Sequence, residues 1–151
     1  MNIFSFFAGA GFLDLGFELQ GNYNVVFVNE FHEAFNHIYR FARQNMGLQE
    51  PRYGHHIEDI TEYIDGKHED RLQRLINWVN ESKEEELTGF IGGPPCPDFS
   101  VAGKNRGRDG ENGRLSGTYA QLICTALPDF SFSKTSKDYI GLQGIDNFSK
   151  S

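Results

Sequence analysis

The segment Gly92-Gly93-Pro94-Pro95-Cys96-Pro97-Asp98-Phe99-Ser100 sets the most reactive side chain of the protein in its most constrained stretch of backbone. Its two glycines permit a tight turn, and its prolines remove backbone donors, so a strand entering here cannot extend its ladder. A thiol at such a turn, on the carboxyl edge of a sheet, faces the crevice in which open α/β sheets bind their ligands. Cys96 is therefore a candidate nucleophile, set against the commoner fate of a free cysteine as a small buried hydrophobe. Attack by it needs a lowered pKa or a coupled proton transfer, since a thiol of pKa about 8.5 is only a few per cent ionised at neutral pH. Cys124 falls among Tyr119, Leu122 and Ile123 in an apolar stripe and reads as packing. Two cysteines make neither a disulfide framework nor a zinc site, and no metal site is expected.

A second cluster suits a bound nucleotide. In Phe7-Ala8-Gly9-Ala10-Gly11 the glycines allow a tight turn between a strand and a helix and let a ligand approach the backbone. The motif lacks the complete dinucleotide fingerprint, so a purely structural turn fits it equally well. Glu30 follows about 20 residues later, where an acidic side chain can accept hydrogen bonds from both hydroxyls of a ribose; a solvated carboxylate at a helix start is the other reading. Asp59-Ile60 could offer a carboxylate to an exocyclic amine and an apolar side chain to a purine face. Lys104, Arg106, Arg108 and Arg114 outnumber Asp109 and Glu111, so one loop is locally positive within a chain of net charge −7.

These residues need a scaffold, and the hydrophobic pattern supplies one. Residues 2–8 form a short apolar run and read as a strand, followed by a helix through Leu13, Leu15, Phe17 and Leu19. Val25-Val26-Phe27-Val28 is the continuous β-branched and aromatic run of a strand buried on both faces. Phe31, Ala34, Phe35, Ile38 and Phe41 recur at spacings of three and four, the apolar stripe of an amphipathic helix. A weak strand near Ile57, a charged helix over 68–83 carrying Leu72, Leu75, Ile76 and Val79, and a strand from Thr88 to Ile91 come next. Leu115, Tyr119, Leu122, Ile123, Ala126 and Leu127 make the last stripe. Strands alternating with helices predict an α/β fold with a mainly parallel sheet of about four strands. Residues 1–130 form the expected ordered part. Residues 131–151, with little periodicity, read as a disordered tail, which would leave Phe90 and Ile91 on an open sheet edge.

The chain has 151 residues, room for one domain. No run approaches the roughly 18 apolar residues of a spanning helix, and the start lacks the basic region of a signal peptide, so no membrane association and a cytoplasmic location are expected.

In order and spacing, Phe7-Ala8-Gly9-Ala10-Gly11, Glu30, Asp59-Ile60 and the Pro94-Pro95-Cys96 loop with Phe99-Ser100 resemble the first motif blocks of the DNA cytosine-5 methyltransferases. The similarity covers about residues 2–130, the amino-terminal part of a family member. It implies a Rossmann-like S-adenosylmethionine-dependent methyltransferase fold, truncated after about four strands, and DNA methylation of the restriction-modification kind. On this resemblance Cys96 adds as a thiolate to carbon 6 of a flipped-out cytosine, which makes carbon 5 nucleophilic toward the methyl group of S-adenosylmethionine. Phe7, Gly9 and Gly11 line the cofactor, Glu30 holds its ribose, and Asp59 with Ile60 holds its adenine. The positive loop matches the family's mobile catalytic loop, which touches DNA phosphates.

Asn112, Pro97 and Phe12 depart from the family's usual arginine, glutamine and glycine. No Glu-Asn-Val block and no target-recognition domain follow residue 130, and residues 134–141 read like that block translated one base out of frame. The implied partners are double-stranded DNA for a complete enzyme and a complementing carboxy-terminal chain. A non-catalytic S-adenosylmethionine or nucleotide binder is the alternative. A nicotinamide-dependent oxidoreductase fits less well, because it leaves the Pro-Pro-Cys loop unexplained.

Overall fold

The computed structural model describes residues 1–95, 111–134 and 143–144. The strands are β1 (Asn2–Phe6), β2 (Asn24–Asn29), β3 (His55–His56), β4 (Thr88–Gly92), β5 (Phe130–Ser133) and β6 (Gln143–Gly144). The helices are α1 (Phe12–Glu18), α2 (Glu33–Asn45), α3 (Glu69–Glu85) and α4 (Glu111–Ala126), with a 3-10 turn over Ile60–Tyr63. They build one sheet in the order β3-β2-β1-β4-β5-β6. β1 to β5 run parallel, and β6 pairs antiparallel with β5.

Every residue of β1 and β4 is buried, which explains why their sequences run on without alternation: helices cover both faces of the sheet. On one face Phe4, Phe6, Phe27 and Phe90 pack against Leu75 and Val79 of α3 and Tyr119, Leu122 and Ala126 of α4. On the other, Ile3, Val25, Val28 and Ile91 pack beneath Tyr39 of α2 and Leu13 and Phe17 of α1. The outcome is the three-layer α/β architecture expected from the pattern.

The sheet does not stop at four strands. β5 lies parallel to β4, from Gly89 opposite Phe130 to Gly92 opposite Ser133, so the edge carrying Phe90 and Ile91 is paired rather than open. The strand carries on to Ser133, past the ordered limit expected at 130. Four residues are too short to declare a period, and long-range contacts make the strand. Gly89 leaves room for the Phe130 ring, which an added Cβ would meet at 2.2 Å. Phe132 meets the Phe17 ring edge-on at 5.5 Å. The Thr88 amide donates to Asp129 Oδ2 at 2.8 Å and the Asp129 amide to the Thr88 carbonyl at 2.8 Å, which locks the register.

α2 turns its apolar stripe away from the core. Phe31, Phe35, Ile38 and Phe41 point outward, and the helix buries Asn36, Tyr39 and Arg43 instead. Polar pairing with α1 dictates this orientation: Tyr39 Oη donates to Asp14 Oδ2 at 2.6 Å, and Arg43 forms a two-pronged ion pair with Glu18. Cys124, expected to pack, is exposed on α4, whose buried stripe passes through Tyr119, Leu122 and Ala126. Among the described residues no helix is long and apolar enough to cross a membrane.

Candidate functional site

At the carboxyl ends of β1 and β4 the connections diverge, one set running toward β3 and the other toward β5. A crevice opens at such a switch point. Its volume is about 560 Å³, and Phe7, Gly9, Glu30, Asp59, Ile60 and Pro95 are among the residues lining it.

The backbone immediately after β1 turns sharply. Phe7 sits at φ +52° and Gly9 at φ +56°. Left-handed backbone at a bulky residue stores roughly 1–3 kcal/mol and persists only where neighbours impose it. Here the Phe7 ring stands edge-on to Tyr119 at 5.8 Å, and the Ala8 amide donates to the Asn29 carbonyl at 3.2 Å. The turn thereby aims the Gly9 amide at Glu30, whose Oε2 accepts it at 2.7 Å. Glu30 Oε1 accepts the His32 amide at 2.8 Å, so one buried carboxylate ties the glycine turn to the start of α2. A carboxylate has about four acceptor positions, and two bonds leave capacity for further donors.

Asn29, just before Glu30, spans to the third strand through Nδ2, which donates to the Glu58 carbonyl at 3.0 Å and so fixes the approach of the next two residues. Asp59 caps the 3-10 turn, its Oδ1 accepting the Thr61 amide at 2.9 Å and the Thr61 hydroxyl at 2.8 Å. Its Oδ2 accepts no hydrogen bond among the described residues. Ile60 is buried in the core and still reaches the crevice wall.

Phe7, Gly9, Glu30, Asp59 and Ile60 thus meet on one crevice, whereas Gly11 does not reach it. Gly11, at φ +90°, lies over the Tyr39 ring, where a Cβ would come within 2.7 Å of Cδ2. Its position explains the glycine by close packing. Cys96 lies outside the described residues, as do Lys104, Arg106 and Arg108; Pro95, the neighbour of Cys96, lines the crevice. Sequence reasoning passed over Phe31 and Phe35, which also line it. The available signal was their position, directly after Glu30 and one helical turn further on.

Fold and crevice together define an open α/β domain with a ligand-sized crevice at the switch point of its parallel sheet. Residues 1–132 match the family model of the C-5 cytosine-specific DNA methylases, and the chain belongs to that family. The family's methyl donor is S-adenosylmethionine. Among similar proteins, the type II methyltransferase M.NmeDI of Neisseria meningitidis serogroup C is 51% identical over 129 residues, 85% of this chain and 30% of that protein. M.MthTI of Methanothermobacter thermautotrophicus is 28% identical over 150 residues, 99% of this chain and 38% of that protein. A crystal structure of a Spodoptera frugiperda DNMT2 mutant shares the fold, with a TM-score of 0.54 at 14% identity over 91% of this chain and 36% of that one. The chain therefore spans about a third of the length of these relatives.

Proposed function

We propose that the chain is the amino-terminal, cofactor-holding part of a DNA cytosine-5 methyltransferase of the cytoplasm, and that it does not methylate DNA without the remaining two thirds of a family-length enzyme. The observation that carries this reading is the placement of Glu30: a buried carboxylate, locked by the Gly9 and His32 amides, at the same crevice as Asp59, Ile60 and Pro95.

The residues fit S-adenosylmethionine. Glu30 has acceptor capacity left for two ribose hydroxyls, and Asp59 Oδ2 has none of its capacity used among the described residues and suits an exocyclic amine. Ile60 and Phe31 supply apolar wall for a purine, and the volume of about 560 Å³ lies in the range of small-molecule sites. Bound there, the cofactor supplies the methyl group. On the family resemblance, Cys96 contributes the nucleophile: its thiolate bonds to carbon 6 of a cytosine turned out of the duplex, which raises electron density at carbon 5. On the same resemblance the positive loop of Lys104, Arg106 and Arg108 would touch DNA phosphates, and in a chain of net charge −7 the rest of a family-length enzyme would supply further basic surface.

Titration calorimetry with S-adenosylmethionine tests the reading. Binding at one site is expected, with Glu30→Ala weakening it about 10- to 100-fold through loss of charged hydrogen bonds of roughly 1.5–3 kcal/mol. Cys96→Ser should leave cofactor affinity unchanged. Preference for a nicotinamide dinucleotide, or no binding of either, contradicts the proposal.

A further inference from the structure

We propose that the outward face of α2 is the surface on which the carboxy-terminal two thirds of a family-length methyltransferase docks, an inference that rests on the functional reading above and names the partner of the same domain.

Phe35, Ile38 and Phe41 fall along one side of α2, and Phe31 stands just ahead of its first turn; Phe31, Phe35, Ile38 and Phe41 are 59%, 46%, 52% and 71% exposed. The opposite side, facing the protein, is polar and almost fully buried at Asn36, Tyr39 and Arg43. A helix with its greasy side to water and its polar side to the core reverses the ordinary arrangement. Rotation cannot correct it, because Tyr39 is bonded to Asp14 and Arg43 to Glu18. Covering the stripe would remove on the order of 400 Å² of aromatic and aliphatic surface, at 150–250 Å² for a whole aromatic side chain. That is about half of one partner's share of a standard interface, and of the size of the largest apolar patch on a typical monomer, which is often functional.

The occupant follows from length and continuity. The matching parts of M.NmeDI and M.MthTI are 30% and 38% of those proteins, so most of a family-length chain has still to pack against this domain. The stripe also runs into the crevice, which Phe31 and Phe35 line beside Glu30. A body seated on α2 would therefore cover the hydrophobic stripe and wall one side of the crevice together. A lipid surface suits this face poorly: the exposed flank offers Glu33 beside Arg40, whereas membrane-lying helices rim their apolar face with several cations.

The experiment is co-expression of the chain with the carboxy-terminal part of M.NmeDI, the portion beyond the segment matched here, followed by size-exclusion chromatography and hydroxyl-radical footprinting. Expected are co-elution as a one-to-one complex and at least fivefold protection of Ile38 and Phe41. Ile38→Ser with Phe41→Ser, positions that do not line the crevice, should weaken the complex at least 100-fold while the melting temperature and S-adenosylmethionine affinity of the chain stay unchanged. Leu127→Ser, at a residue 55% exposed on another face, should have no effect. Absence of a complex, a complex indifferent to the double substitution, or self-association of the chain that the double substitution abolishes would each overturn the proposal. Cofactor affinity is measured separately, so failure of the functional reading shows itself independently.

Discussion

Replacing Gly11 with alanine should destabilise the domain by about 2–5 kcal/mol, and most of that loss should depend on Tyr39. The added methyl would stand 2.7 Å from Tyr39 Cδ2 and 2.8 Å from Cε2, roughly 1 Å inside ordinary carbon contact. The ring has nowhere to go: it is 1% exposed, its hydroxyl is held by Asp14 at 2.6 Å, the Arg43 guanidinium lies over it at 5.3 Å and the His55 ring meets it at 5.5 Å. Overpacking of this kind costs about 1–3 kcal/mol, and a left-handed backbone at a residue with a Cβ adds about 1–2 kcal/mol. Gly9→Ala is the internal control, since Gly9 also has positive φ but nothing within 4 Å of its absent Cβ. The strain is common to both variants, so their difference isolates the clash. At about 2–4 °C per kcal/mol for a domain of this size, Gly11→Ala should melt roughly 2–12 °C below Gly9→Ala in a thermal scan followed by near-ultraviolet circular dichroism. In a Tyr39→Leu background the gap should shrink. Equal melting of the two single variants would refute the packing argument.

Other consequences are equally open to measurement. Burial raises Asp14 from 3.8 to about 6, partly offset by the Tyr39 and Ser5 hydroxyls. The native state therefore holds a proton that the unfolded chain has released between pH 4 and pH 6, so this group's contribution to stability is full below pH 4 and lost as pH rises through 6. Asp14→Asn removes that dependence: chemical denaturation should show the variant gaining roughly 3 kcal/mol relative to the parent from pH 4 to pH 7, and a constant difference would count against it. Tyr119 is buried with a hydroxyl that has no partner among the described residues, and burial holds that phenol far above its usual range. Tyr119→Phe should accordingly be neutral or stabilise by about 1 kcal/mol in urea unfolding; a loss above 1 kcal/mol would reveal a bond to the hydroxyl. Gly89→Ala should loosen β5, because its Cβ would lie 2.2 Å from the Phe130 ring, and amide exchange across Phe130–Ser133 should accelerate at least tenfold while β2 is unaffected.

How far the sequence disclosed this molecule depended on whether local pattern or distant partners decided each element. β1, β2 and β4 were legible because strands buried on both faces must be continuously apolar, and β4 runs into Gly93-Pro94, where the ladder cannot continue. The meeting of Glu30 and Asp59 on one crevice followed from the same logic, since both stand just past parallel strands whose carboxyl ends share an edge. α2 was legible as a helix but not in its orientation, because periodicity reports that a helix has two unlike faces, never which of them the core will take. Tyr39 and Arg43, each with a partner on α1, outweighed four hydrophobic residues without any. β5 was invisible for a related reason: Phe130–Ser133 gains its identity from Gly89 and Asp129, contacts absent from its own four residues. Gly11 carried an ambiguous signal, because a glycine that admits a ligand and one that admits a neighbouring ring look the same in one dimension.

Amide chemical-shift mapping during titration with S-adenosylmethionine tests the central assignment most directly. The account predicts saturable shifts centred on Phe7, Gly9, Glu30 and Ile60, with the Gly9 amide among the largest because it donates to the carboxylate that would receive the ribose. Shifts confined to the separate groove of Gly66, Gln73 and Gln121, or no saturable shifts at all, would contradict it.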